Sequence, residues 1–205
     1  MFLLIVGTGA MGKIVRDCAE NDEIFDRIEM VEPTEKNWPK EKADLLIDFS
    51  HPAAVKDIYE YCRDMGGNIP VVIGTTGQSS DEEEIIKLLG KICPIERKTN
   101  FSRGIEALNH LAAEAEKLLE GCDIGIEEIH HNKKIDSPSG TAKTLCDILE
   151  LPYEKATSQR LGTMFGQHKI YFALEDEMIE ISHTAYSKKI FAIGAIEAGK
   201  AMLRK

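Results

Sequence analysis

No apolar run among the 205 residues approaches the roughly 20 needed to span a bilayer as a helix. The apolar opening Met1 to Val6 has no basic residue before it and runs straight into glycine, so it reads as a first strand and not as a signal peptide. Cysteine is sparse. Cys18, Cys62, Cys93, Cys122 and Cys146 are odd in number, widely scattered, and form no C-x-x-C pair. This supports neither a disulfide framework nor a zinc site and fits a reducing compartment, the cytoplasm. Positive charge is also short: 25 Lys and Arg against 35 Asp and Glu give a formal net charge of −10, which argues against a nucleic-acid partner. Internal repeats and low-complexity tracts are lacking as well.

What remains is ordinary for a globular protein, with 43% hydrophobic and 29% charged residues, enough for one large domain or two small ones. In the first half, short apolar runs predict strands over 2–6, 27–31, 44–49, 70–73 and 92–95. Helical patterns over 11–20, 52–63 and 81–89 lie between them. Such alternation predicts a parallel sheet covered on both faces. After Asn100 the pattern changes. A helix is expected over 104–119, a strand over 123–129 and a helix over 139–150. Two longer alternating runs, 168–174 and 178–186, flank the acidic turn Glu175-Asp176-Glu177 and predict an antiparallel pair in a mixed, open sheet. Their apolar faces need cover. A last helix over 191–203 carries Gly194, Ala195, Ala198 and Gly199, small residues suited to close packing. The expected division is residues 1–99 and 100–189, with the terminal helix, 190–205, returning to the first part.

Gly7-Thr8-Gly9-Ala10-Met11-Gly12 fits G-x-G-x-x-G. The motif is weak by itself, but here it follows a strand and opens a helix, the context of a Rossmann-type dinucleotide site. Its glycines allow a tight turn and bring backbone N–H groups to a pyrophosphate at the positive end of a helix. Glu32 stands about twenty residues past the last glycine, where an acid meets a ribose 2′-hydroxyl. Gly74-Thr75-Thr76-Gly77 and Thr99-Asn100-Phe101-Ser102 leave the fourth and fifth strands at their carboxyl ends, where ligands of open parallel sheets sit. Taken alone, either loop would more often be a plain turn.

A second cluster spans Glu127 to Thr141, E-E-I-H-H-N-K-K-I-D-S-P-S-G-T. His130, His131, Lys133 and Lys134 concentrate positive potential in an acidic chain. Asp136 or Ser137 is placed to cap the next helix, with Pro138 in its first turn. The amides near Ser139, Gly140 and Thr141 then form an anion site suited to a substrate bearing carboxylates. The plain alternative is a solvated polar turn. Adjacent histidines in an extended segment point apart, which argues against a metal.

The stretch E-x-H-H-x-x-K-x-D-x-P-S-G-T resembles the signature of the 4-hydroxy-tetrahydrodipicolinate (dihydrodipicolinate) reductase family. The resemblance extends to the glycine loop, to I-D-F-S-H-P at Ile47–Pro52, V-I-G-T-T-G at Val72–Gly77 and N-F-S at Asn100–Ser102, and runs from about Phe2 to Gly199. It implies an α/β fold, with a Rossmann-type domain beside a smaller α+β substrate-binding and oligomerisation domain. It also implies NADH- or NADPH-dependent reduction of a cyclic imine dicarboxylate on the diaminopimelate route to lysine. By this resemblance His130 is the general acid or base and Lys134 the proton donor. His131, Lys134, Gly140 and Thr141 hold carboxylates, and Lys133 is solvated. Homotetramers joined through the second domain's sheet are implied too, and no metal. Glu32 predicts a preference for NADH. The chain departs from the family pattern in its short link from Glu32 to Asp44, in the lack of a tail, in Glu106 where Asn is common, and in Lys188 where many members carry Arg. Two alternatives from outside the family are an aspartate-dehydrogenase-like enzyme and a non-catalytic dinucleotide-binding protein.

Overall fold

The computed structural model describes residues 1–204; Lys205, the last residue of the expected terminal helix, lies outside them. The chain forms two compact units. One is Met1–Phe101 together with the segment from Phe191 onward, and the other is Ser102–Ile190.

The first unit is a parallel sheet in the order β2-β1-β3-β4-β5. Its strands are β1 (Phe2–Val6), β2 (Arg27–Val31), β3 (Leu45–Asp48), β4 (Val71–Ile73) and β5 (Ile95–Arg97). The helices are α1 (Ala10–Ala19), α2 (Ala54–Asp64) and α3 (Ser80–Leu89). Every residue of β1 is buried, because successive side chains point to opposite faces and both faces are covered. Phe2, Leu4 and Val6 enter a core with Val55, Ile58 and Cys62 of α2 and Ile86 and Leu89 of α3. Leu3 and Ile5 enter a second core with Val15 and Ala19 of α1 and with Ala192, Ala195 and Ile196 of α6 (Lys189–Leu203). The small residues of α6 permit that approach: a Cβ on Gly194 would collide with the carbonyl oxygen of Phe101.

The fifth strand differs from its expected span, 92–95. Ile92 and Cys93 donate their amides to the Leu89 carbonyl at 3.0 and 2.9 Å and close the end of α3. The paired register with β4 begins at Ile95; Pro94 has no N–H to give and contributes only its carbonyl, which accepts from the Val71 amide at 2.9 Å.

The second unit holds β6 (Asp123–His130), β7 (Ala156–Arg160), β8 (Gln167–Ala173) and β9 (Met178–Thr184) in the order β7-β6-β8-β9. β7 runs parallel to β6, and the other pairs are antiparallel, so the sheet is mixed. Ile126, Ile170 and Phe172 pack with Ile105, Leu108 and Ala112 of α4 (Arg103–Leu118) and with Ala142, Leu145 and Cys146 of α5 (Gly140–Ile148). The antiparallel pair β8–β9 is present, and its apolar residues are largely covered by the chain's own helices, with Met178 and Ile179 at the start of β9 left exposed. Ile170, Phe172 and Ile181 belong to the core beneath the helices. The other face is polar, with Lys169 3.2 Å from Glu180 and Tyr171 donating to Glu127 at 2.8 Å. β7 was not foreseen, because A-T-S-Q-R carries no apolar alternation.

Helix α5 begins within a residue of its expected start, but its capping differs. Ser139 is its cap, accepting from the Ala142 amide at 3.2 Å, in place of Asp136 or Ser137. Pro138 precedes the cap, after a cis Ser137–Pro138 peptide, and is not in the first turn.

Candidate active site

In the first unit the chain leaves β1 into Gly7, whose φ of +105° and buried position only glycine fits: a Cβ there would lie 2.5 Å from the Phe49 carbonyl oxygen. Gly12 is buried one turn into α1, while Thr8, Gly9 and Ala10 are exposed and Met11 half-buried. Gly9 caps α1 without a side-chain hydrogen bond, and the first turn carries no acidic residue. A Cβ on Gly9 would meet nothing within 4 Å, so protein packing does not demand glycine there. Open space before uncapped amides at a helix N-terminus suits a phosphate group, and the residues fit a dinucleotide.

Glu32 directly follows β2, and its Oε2 accepts from the Thr8 hydroxyl at 2.8 Å, which brings the carboxylate to the glycine loop. The other loops are tied to the end of β3. Asp48 is buried beside Ser50, and the Ser50 amide donates to Asp48 Oδ1 at 3.0 Å and to Thr75 Oγ1 at 2.9 Å. Burial pushes the Asp48 carboxyl above its ordinary range, against the hydrogen bonds of Ser50 and Thr75. Thr75 is therefore buried with its oxygen engaged by protein, while Gly74 is half-buried and Thr76 and Thr99 are exposed. Asn100 is half-buried, and Phe101 is buried edge-on to Phe49 at 6.2 Å. Ser102 belongs to the second unit, where it caps α4 by accepting from the Ile105 amide at 3.3 Å.

In the second unit, β6 ends at His130, 9% exposed, with His131 half-buried beyond it. Lys134 follows in the turn, its Nζ 2.8 Å from Asp136 Oδ1. Gly140, exposed, and Thr141, buried, form the first turn of α5, so these polar residues and the helix start all belong to the second unit. Lys133 is exposed, as expected of a solvated side chain.

The roles of three residues escaped sequence reasoning. Glu128, with a side chain 0% exposed, receives both ends of the Arg160 guanidinium, at 2.8 and 3.0 Å. It also accepts the Ser139 amide at 3.2 Å and contacts His130 Nδ1. Stripping a buried carboxylate of its partner typically costs about 3–5 kcal/mol, so Arg160 is required by Glu128. His168 lies edge-on to His130 at 5.2 Å between centroids, its Nε2 3.1 Å from Ser139 Oγ. Burial would raise Glu128, but Arg160, then Ser158 and His130, overcome it and hold the carboxyl down to about 2. Burial lowers His130 more than Glu128 raises it. Burial, with His130 beside it, takes His168 down to about 3. The signal available beforehand was the E-x-H-H spacing, which puts Glu128 and His130 on one sheet face.

Among the described residues no group of three or more His, Cys, Asp or Glu is placed to hold a metal, and no helix is long and apolar enough to cross a membrane.

Known proteins share both halves of this arrangement. Residues 1–101 match the family model for the N-terminus of dihydrodipicolinate reductase, and residues 104–205 match that for its C-terminus. A 4-hydroxy-tetrahydrodipicolinate reductase of Thermosipho africanus is 39% identical over 96% of this chain and 88% of its own. One from Staphylococcus saprophyticus is 37% identical over 100% of this chain and 95% of its own. Among solved structures, a dipicolinate-bound dihydrodipicolinate reductase from a Paenisporosarcina species superposes with a TM-score of 0.76 at 20% identity, covering 100% of this chain and 95% of that one. The aspartate dehydrogenase of Thermotoga maritima gives 0.55 at 14% identity over 98% and 96% of the two chains, a likeness of fold alone. The glycine loop, the histidine–lysine turn and the match along both halves make this chain a member of the dihydrodipicolinate reductase family.

Proposed function

We propose that the chain reduces the cyclic imine dicarboxylate derived from 4-hydroxy-tetrahydrodipicolinate to tetrahydrodipicolinate, using a reduced pyridine nucleotide. The observation that carries this reading is the presence in one unit of His130, tied through Glu128 to the N-terminus of α5, and of Lys134 in the turn between them, in a family of reductases with that name. The glycine loop at Gly7–Gly12 holds the pyrophosphate, and Glu32 takes the ribose hydroxyls. When bound, the reduced nicotinamide supplies the hydride. The second unit then has two tasks: to hold two carboxylates and to deliver one proton. His131, Gly140, Thr141 and the Lys134 ammonium hold the carboxylates, through charge and the first amides of α5. Lys134 gives the proton that completes the reduction. His130 is neutral at physiological pH, being lowered by burial, and acts as its acid–base partner. Thr76, Thr99 and Asn100, on the loops after β4 and β5, are the residues to offer polar contacts to the nicotinamide ribose and amide.

The enzyme works in the cytoplasm, where its free cysteines stay reduced. It assembles as a homotetramer through the second unit's sheet. A coupled assay with freshly generated substrate tests the activity directly. Turnover with NADH or NADPH supports it. A folded protein inert with both cofactors, or one that oxidises aspartate with NAD instead, overturns it.

A further inference from the structure

One carboxylate connects three parts of the second unit. Glu128 stands two residues before His130 on β6, so both side chains leave the same face of the strand. Across the β6–β7 ladder, Glu128 pairs with Ser158 and His130 with Arg160, and that register sets the guanidinium over the carboxylate. Oε1 accepts from Arg160 Nη2 at 2.8 Å and from the Ser139 amide at 3.2 Å, at the cap of α5. Oε2 accepts from Arg160 Nη1 at 3.0 Å and also meets Nδ1 of His130. Arg160 is fixed in turn by the Asp136 carbonyl, 2.6 Å from its Nη2. A guanidinium, an amide and an imidazole thus surround a side chain that water does not reach.

The chemistry of the ring follows from this contact. An ionised carboxylate can only accept, so it requires the proton of a neutral imidazole to sit on Nδ1 and leaves the lone pair on Nε2. The Nε2 side of the ring faces Gly166, a residue without a side chain. The same carboxylate holds the Ser139 amide, so the orientation of the ring and the start of α5 share one anchor. His168, through Ser139 Oγ, buttresses that anchor from β8.

We propose that Glu128 is the positioning residue for His130. With Arg160 as its counter-ion, it fixes the tautomer and orientation of the imidazole relative to the N-terminus of α5. This rests on the reading of His130 as the acid–base group. A merely structural ion pair, one that only fastens β7 to β6, would leave the ring's protonation pattern untouched.

The test combines nitrogen NMR of the full-length, histidine-labelled protein with steady-state kinetics. In the wild type, His130 is expected to show the Nδ1–H tautomer; an Nε2–H pattern there overturns the proposal without any variant. In Glu128→Gln the amide offers a donor as well as an acceptor, so the pattern moves toward Nε2–H. There kcat falls by about 10²–10³-fold, while the affinity for the dinucleotide changes less than about twofold, since its loop lies in the other unit. Arg160→Lys, which keeps the charge, retains more activity than Arg160→Met and retains the wild-type pattern. His130→Ala is measured alongside. If it keeps wild-type turnover, the site reading fails and this proposal fails with it. If His130→Ala is slow but Glu128→Gln keeps both kcat and the Nδ1–H pattern, the positioning role alone is refuted.

Discussion

Gly166 lies against the ring of His130: a Cβ on the glycine would stand 3.0 Å from Nε2 and 3.3 Å from Cδ2. Its φ of +152° is also one that residues with side chains seldom adopt. Gly166→Ala is therefore expected to push the imidazole off its position. Misplacement of a reacting group by about 1 Å can cost roughly 10²-fold, so kcat should fall by about 10–100-fold with dinucleotide affinity unchanged. Wild-type kcat in a folded Gly166→Ala protein would show that the Nε2 side of the ring is not used.

His168 makes stability depend on pH. Its folded pKa of about 3 lies below the ordinary value of 6.5, so between those limits the unfolded chain binds the proton that the folded one refuses. Stability is complete above about pH 6.5 and is lost as the pH falls toward 3. One such group contributes a slope of about 1.4 kcal/mol per pH unit. His168→Gln should remove close to that slope between about pH 4 and pH 6 in denaturant titrations, leaving the smaller contributions of His130 and His183, which burial also lowers. An unchanged slope would count against the burial argument.

Lys134 should reveal itself through inhibition. Pyridine-2,6-dicarboxylate presents two carboxylates on a planar ring with no reducible imine and is expected to compete with substrate. A charged hydrogen bond contributes about 1.5–3 kcal/mol, so Lys134→Ala should weaken that inhibitor by about 10–100-fold and leave NADH binding unaltered in calorimetry. Equal inhibition of both proteins would remove Lys134 from the carboxylate site.

Glu32 should set the choice of cofactor. Held by the Thr8 hydroxyl at 2.8 Å, it favours a ribose 2′-hydroxyl and repels a 2′-phosphate. The wild type is expected to prefer NADH modestly. Glu32→Ala should lower kcat/KM for NADH by about tenfold, in line with one lost charged hydrogen bond, while NADPH gains or holds. A wild type that clearly prefers NADPH would refute the assignment.

Assembly should respond to salt. The open face of the second sheet carries the pairs Tyr171–Glu127 and Lys169–Glu180 beside an exposed Met178, so a tetramer built on it rests in large part on polar contacts. Screening at about 1 M salt shortens electrostatic reach to about 3 Å, and light scattering should then show dissociation toward smaller species. A tetramer indifferent to salt would point to another surface, and a monomer at low salt would end the tetramer proposal.

How much of this was legible depended on whether a residue's partner lay nearby in sequence. The first unit reads well because β1, the glycine loop and α1 form one continuous piece, and burial on two faces leaves uninterrupted apolar runs. The histidine–lysine turn was legible for the same reason. Glu128 was not: beside Glu127 it looks like surface charge, and only the β6–β7 register brings Arg160, thirty-two residues on, to neutralise it. β7 itself is a polar edge strand whose existence depends on β6. The fifth strand was misplaced because Ile92 and Cys93 are as apolar as a strand but fold back in the turn that closes α3, a choice made by backbone hydrogen bonds and Pro94. What covers the apolar sheet face was not legible for a related reason: alternation shows that one face is apolar, not how much of it the chain's own helices already cover, here all but the start of β9.

The position of α6 has a consequence for how the protein is made. Ala192, Ala195 and Ile196 complete a core otherwise built from Leu3, Ile5, Val15 and Leu45. On the ribosome, the unit synthesised first therefore stays unfinished until the whole second unit has been translated, at roughly 5–20 residues per second. The nascent nucleotide-binding half must keep one sheet face waiting, and it is the half that a premature stop near Phe191 would harm most.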